Sequence, residues 1–295
     1  GQIFLKPFSY LEAGKFHPKW SETDKAKVFS ICGGIPYYLN FFSQTDSIDA
    51  NIRNNFLNEF SALAREPEFL LREELKELKK YFGILTALST GAVTNREMTR
   101  ITGIDERALF YYLNTLIELG YIIKHYPLTG AKVNPKQVRY KLHDPLLRFW
   151  FRFIYPNGSA IYQMDEKSSF LNLIKPHLDA YYGTGYETLC REALSRLYQK
   201  EELTCAYEIG EYWDKDIQID IVGYRQDGVI DICECKWGTI SSMPQLLKEL
   251  NSKISAYPNK DNKTIHGRLF LRSRRKQPSS HSVRTHFISD IYRLD

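Results

Sequence analysis

The stretch Ile217–Trp237, IQIDIVGYRQDGVIDICECKW, decides how this chain is read. Ile217–Tyr224 and Val229–Trp237 are rich in Ile and Val, with polar residues at every second position, the period of half-buried strands. Gln226-Asp227-Gly228 supplies a turn, with Gly228 able to take the left-handed conformation that closes a three-residue hairpin loop. Pairing Arg225 with Val229 then sets Tyr224 opposite Ile230, Val222 opposite Ile232, Asp220 opposite Glu234 and Gln218 opposite Lys236. Asp220, Glu234 and Lys236 share one face in that register, the two carboxylates about 5 Å apart at Cβ. Two carboxylates that close repel unless a cation lies between them. Hard oxygen ligands with room for water suit Mg²⁺ or Mn²⁺, and a lysine two residues on suits orienting an attacking water. The same spacing also describes the wet side of an ordinary antiparallel hairpin. A two-residue loop would slip the register by one and move Asp220 to the opposite face.

An Asp, a hairpin turn, then Glu-x-Lys is the pattern of the PD-(D/E)XK nuclease superfamily, here Asp220 followed by Glu234-Cys235-Lys236. The form IDIV…ECKW after Gly210-Glu211-Tyr212-Trp213 more specifically resembles the nuclease-like C-terminal domain of archaeal-type AAA ATPases. The resemblance implies that Asp220 and Glu234 hold a metal and that Lys236 is catalytic. Members of that group commonly read Glu-Ile-Asp where this chain has Gln218-Ile219-Asp220, so one acid is lost here.

Length and composition bound the rest. A chain of 295 residues is expected to hold two or three domains. No apolar run is long enough to span a membrane, and no signal peptide opens the chain. Gly1 in place of Met points to a piece of a longer protein. The five cysteines, Cys32, Cys190, Cys205, Cys233 and Cys235, are odd in number and form no CxxC pair. That spacing argues for reduced thiols in a cytoplasmic protein and against a structural zinc site. A net charge of +5 is compatible with nucleic acid without deciding for it.

Residues 1–80 read as a small helical bundle. Ser21 caps a helix over Lys25–Cys32, Gly33-Gly34 stops it, and Pro36 opens the next element. Helical spacing recurs around Ile48–Phe60 and Glu66–Lys80. LKPFSYLEAGKFHP with FSICGGIPYYLNFF resembles the lid that ends an AAA-type ATPase core, Gly33-Gly34-Ile35-Pro36-Tyr37 matching its GGxPxY signature. No G-x-x-x-x-G-K-[ST] occurs in the chain, so no ATP hydrolysis is expected of it. A P-loop core in the parent protein is the implied partner, with an oligomer possible.

Residues 81–158 read as three helices and a β-hairpin: Phe82–Leu88, Arg96–Thr102 ended by Gly103, Arg107–Leu119, then strands Tyr121–Tyr126 and Val138–Leu142 around a polar loop. This layout resembles a winged helix-turn-helix, whose third helix enters the DNA major groove. Arg107 and Tyr111 on that helix, with Lys132 and Lys136 in the wing, are the candidate nucleic-acid contacts. Ten basic side chains face five acidic ones between Tyr81 and Tyr155, as a phosphate-facing module would have. Winged helices also serve as protein connectors, and Tyr111-Tyr112 fits that use as well. The aromatic run Asp144–Phe153 is expected to join this module to the last domain, with Pro156–Ser159 as linker.

Residues 159–295 begin with helices over Phe170–Tyr182 and Gly183–Tyr198. By resemblance the helical acid Glu187, with Glu192 as runner-up, assists the metal site. After the hairpin come a helix over Gln245–Tyr257, carrying Lys248 and Lys253, and a strand at Arg268–Leu271. Arg272, Arg274 and Arg275 then form a basic loop suited to a phosphate backbone. The expectation is an α+β multi-domain chain: helical lid, winged helix, and a PD-(D/E)XK nuclease-like domain acting on DNA with Mg²⁺ or Mn²⁺. Its alternative is an inactive nuclease fold kept as a nucleic-acid-binding or assembly module.

Overall fold

A computed structural model describes residues 6–58, 60–273 and 283–294. The chain is mixed α and β, with a two-stranded hairpin and a five-stranded sheet. The described residues fall into two compact units. One takes the chain up to Trp20, with 27–125 and 138–178; the other takes 21–26, 126–137 and everything from Asp179 on.

The first unit is helical apart from one hairpin. Helices at Leu78–Ser89, Asn95–Thr102 and Glu106–Glu118 lead into β1 (Ile122–His125) and β2 (Arg139–Leu142), paired antiparallel. The second and third of these helices start where the sequence supplies an acceptor. Thr94 and Glu97 form a reciprocal cap on the second, and Asp105 accepts from the Arg107 and Ala108 amides on the third. Leu109, Leu113 and Leu116 are fully buried along the Glu106–Glu118 helix, as a 3.6-residue stripe requires.

The aromatic run is the core of this unit. Pro145–Phe149 continues as a π-helix over Trp150–Ile154. Phe149 packs on Phe56 at 4.6 Å, Trp150 donates to the Ala64 carbonyl at 2.8 Å, and Phe82 lies edge-on to Phe151 at 5.2 Å. These rings thus bind the N-terminal helices to Leu78–Ser89. The expected linker at Pro156–Ser159 is not one. Tyr155–Asn157 is a 3-10 turn, and Gly158–Gln163 is helical, because Pro fits the first turn of a helix where its missing N–H costs nothing.

The second unit is built on the sheet, in the order β3 (Tyr207–Trp213), β4 (Gln218–Arg225), β5 (Val229–Lys236), β6 (Thr264–Leu271), β7 (Val283–Phe287). β3, β4 and β5 are antiparallel neighbours, while β5, β6 and β7 are parallel. Gly228, at φ +86°, closes the β4–β5 turn, and Tyr224 pairs with Ile230 and Val222 with Ile232, as the turn chemistry requires. Both faces are covered. On one, Leu246 and Leu250 of the helix Met243–Ala256 pack against Val222, Ile230, Ile232 and Leu269. On the other lies the long helix Leu178–Lys200, so close that a Cβ on Gly223 would come within 2.0 Å of the Tyr198 hydroxyl oxygen.

That second face hides a charged cluster. Asp231 and Arg268 are both fully buried, joined Oδ1 to Nε at 2.7 Å. Tyr198 donates to the other Asp231 oxygen at 2.5 Å, and Glu201 accepts from both Arg268 Nη atoms at 2.8 and 2.9 Å. Both Asp231 oxygens and all three Arg268 nitrogens are thereby engaged, which is what lets the pair survive out of water.

The connection between β1 and β2, residues 126–137, belongs to the second unit. Pro127 bridges Glu211 in parallel, the Leu128 amide donates to the Glu211 carbonyl at 2.7 Å, and Tyr257 donates to the Leu128 carbonyl at 2.8 Å. The segment thus runs along the outer side of β3.

Candidate active site

Pairing between β3 and β4 shifts by one residue: Gly210 is opposite Val222, but Tyr212 is opposite Ile219. β4 therefore carries one extra residue across from Glu211, a β-bulge in the segment holding Asp220 and Ile221. Ile219 and Val222, three apart, share one core cluster. The simple expected pairing of Asp220 with Glu234 is replaced by a side-chain contact. The β4–β5 ladder runs as far as Ile221 opposite Cys233, and beyond it the Cys235 amide donates to Asp220 Oδ2 at 2.8 Å. A bulge strands a backbone donor, and here the carboxylate satisfies it.

Glu234 is 3% exposed and both its oxygens are taken. Lys236 Nζ donates to Oε1 at 2.7 Å, and Lys253 Nζ, from the helix Met243–Ala256, donates to Oε2 at 2.5 Å. Burial, with the Glu234 charge second, pushes the Asp220 carboxyl up to about 6; the Cys235 hydrogen bond and the charges of Lys253 and Lys236 oppose that rise. Burial pulls the Lys236 ammonium down, but its hydrogen bond and ion pair with Glu234 outweigh that and leave it raised.

Asp220, Glu234 and Lys236 are therefore brought within electrostatic reach of one another. Glu187 comes from the long helix on the other face. Tyr186, its neighbour, packs on Trp237 at 5.6 Å, and Glu187 itself is half-buried. Burial and a hydrogen bond to Cys190 raise the Cys235 thiol, with Asp220 and Glu187 adding charge from either side. The runner-up Glu192 is also half-buried on that helix. Gln218 is exposed at the start of β4.

The donor chemistry suits an oxygen-seeking divalent ion. Asp220 is an under-screened acid, as its raised carboxyl shows. Among the described residues no group of three His, Cys, Asp or Glu could hold a metal, so water and substrate oxygens would have to complete the shell, as Mg²⁺ tolerates.

The cationic candidates divide. Arg272 lies against the site: its guanidinium carbon sits over the Trp237 ring, 4.9 Å from the centroid, and its amide donates to the Lys236 carbonyl at 3.1 Å. Arg274 and Arg275 lie outside the described residues. Lys132 and Lys136 are exposed in the second unit, while Arg107 and Tyr111 are exposed in the first. Around Arg107 the helix Glu106–Glu118 also exposes Glu106, Glu118, Phe110 and Tyr111, the last two by 54% and 64%. Sequence reading missed Phe110 on that face. It also left Lys253 without a role, although Lys253 lies seven residues (two turns) beyond Leu246 and three beyond Leu250, on the stripe that meets the sheet.

No helix among the described residues is long and apolar enough to cross a membrane. Residues 150–254 match the DUF234 family, described as archaeal and bacterial proteins of unknown function. An uncharacterized protein of Methanocaldococcus jannaschii is 30% identical over 241 residues, which cover 80% of this chain and 53% of the relative. The chain thus spans about half the length of the curated relative it matches, and Glu187, Asp220, Glu234, Lys236 and Lys253 all fall in the stretch that is similar to the family.

Proposed function

We propose that the second unit is a nuclease-like module of the PD-(D/E)XK type that hydrolyses phosphodiester bonds of DNA, in the C-terminal portion of an ATPase-associated protein. The observation that carries this reading is the bulge that turns Asp220 onto the Cys235 amide beside Glu234 and Lys236. An ordinary solvated hairpin face has no reason to bury its acids. Asp220 and Glu234 would hold Mg²⁺ or Mn²⁺, whose part is Lewis-acid polarisation of the scissile phosphate. Lys236 would orient the attacking water and offset charge gathering on the phosphate oxygens. Arg272, held over the Trp237 ring, would take a neighbouring phosphate. Glu187, on the other face, would tune the site through Cys235.

A second reading is a binding or assembly module without turnover. Two observations favour it: Glu234 is saturated by two lysines, and the exposed face of the helix Glu106–Glu118 shows two acids and two aromatic rings to one arginine. A plasmid-nicking assay run beside calorimetry with Mg²⁺ and Mn²⁺ separates the two. Under the nuclease reading, Asp220→Asn and Glu234→Gln lose cleavage together with ion binding. Lys236→Ala keeps ion binding while turnover falls on the order of 10²- to 10³-fold. Ion binding with no cleavage of duplex or single-stranded substrates leaves the module reading; no ion binding removes the metal from the account.

A further inference from the structure

Two ammonium groups meet one buried carboxylate at Glu234. Lys236 reaches it along its own strand, two residues away, whereas Lys253 is delivered by the helix crossing the sheet and binds the opposite oxygen. The side chains are 37% and 22% exposed, against 4% for Glu234. With Asp220 beside them, the cluster holds two carboxylates and two ammoniums. The charges of the cluster sum to zero without any ion, but both ammoniums are bonded to Glu234 and Asp220 feels them only at longer range. A divalent ion entering between the acids would meet two positive charges and a Glu234 whose oxygens each already accept from an ammonium.

We infer that Lys253 is an internal counter-cation: it occupies Glu234 Oε2 in the ion-free protein and must release it before a divalent ion can bind, so it sets the concentration at which the site fills. This rests on the reading that Asp220 and Glu234 receive such an ion. Lys253 rather than Lys236 is the one displaced. Asp220 feels both ammoniums, but Lys236 springs from the strand that carries Glu234 and also feels the charge of Glu249, which keep it in place when Glu234 turns away. Lys253 is carried on a four-carbon stem three residues before the end of its helix, where the head group can swing to water. The device has a structural use. A bare pair of buried acids would destabilise the ion-free fold, and an ammonium that comes and goes lets the site exist in both states.

The test is a Mn²⁺ titration by calorimetry on the full chain, in wild type, Lys253→Met, Lys253→Gln, Lys253→Arg and Glu234→Gln. Removing one positive charge from beside a divalent ion should tighten its binding about tenfold in Lys253→Met. Lys253→Gln, which still donates a hydrogen bond to Glu234 and guards against a folding failure, should tighten it similarly. Lys253→Arg should stay within about threefold of wild type, since it keeps the charge. Thermal melts add a second readout: Lys253→Met should melt below wild type in chelator and gain more from Mn²⁺ than wild type does. Unchanged or weaker Mn²⁺ binding in both neutral variants, with Glu234→Gln abolishing it, overturns the role of Lys253 and leaves the two-carboxylate site intact. No Mn²⁺ binding by wild type or by either neutral variant overturns both.

Discussion

Arg268 offers the sharpest test of how the second unit is held together. It heads the fully buried side chains by volume, and three of its nitrogens are engaged by Asp231 and Glu201. Arg268→Met keeps most of the volume and removes the charge. Glu201 loses little, because it is 30% exposed and retains Arg284 at 3.1 Å. Asp231 has no such recourse. It is fully buried and would keep only the Tyr198 hydroxyl and Arg225 at 3.6 Å. Breaking a buried pair by removing one partner costs about 3–5 kcal/mol, and the methionine recovers part of that through apolar packing. The net expectation is about 3 kcal/mol, or roughly 10 °C in melting temperature for a unit of this size. Urea unfolding followed by tryptophan fluorescence reads it, since Trp213 and Trp237 both belong to this unit. The double variant Asp231→Asn/Arg268→Met removes the stranded charge and should recover about half of the loss. A single variant within 1 kcal/mol of wild type, or a double variant no better than the single, refutes the view that Asp231 depends on Arg268.

Further outcomes concern pH. Burial, with Arg268 second, pulls His286 down to about 4. The unfolded chain takes up this proton near pH 6.5 and the folded one does not, so stability falls as pH drops from 6.5 to 4; His286→Gln should flatten that slope, and an unchanged acid limb in urea melts would show that His286 does not cause it. Asp220 works the other way. Its raised carboxyl means the folded state holds the proton longer than the unfolded one, so in chelator this group lowers stability as pH rises through 6. Asp220→Asn should therefore melt higher than wild type at pH 8, by roughly 1–3 kcal/mol, with the gap closing below pH 4; a variant that is less stable at pH 8 contradicts the assignment.

The hairpin was legible because its turn was. Gln226-Asp227-Gly228 read as a three-residue loop sets the register, and the pairs from Tyr224 opposite Ile230 to Val222 opposite Ile232 follow from it. The bulge was not legible. Ile217, Ile219 and Ile221 alternate cleanly on paper, yet the residues that share a core are Ile219 and Val222, because an inserted residue resets the alternation without altering composition. The burial of Asp231 was equally hidden: a strand covered on both faces has no wet side, and only the arrival of Arg268 from β6 makes an acid tolerable there. Lys253 reads as one of several lysines on an amphipathic helix, and its partner is nineteen residues away in sequence. The helical turn at Pro156–Ser159 was concealed by a composition that signals a linker, since Pro, Asn and Gly serve helix starts as readily as loops.

The segment that runs beside β3 has a bearing on how this protein stays apart from its neighbours. β3 is the first strand of the sheet, and a terminal strand offers a row of unmet amides and carbonyls to any other chain. Pro127 and Leu128 cover that row at Glu211, and a proline there cannot itself pass the pairing on. The cover comes from about fifty residues before the long helix that opens the rest of the sheet unit. A domain cut from the chain at residue 159 would keep every strand of the five-stranded sheet and every candidate acid, and it would leave the flank of β3 open to stack against itself.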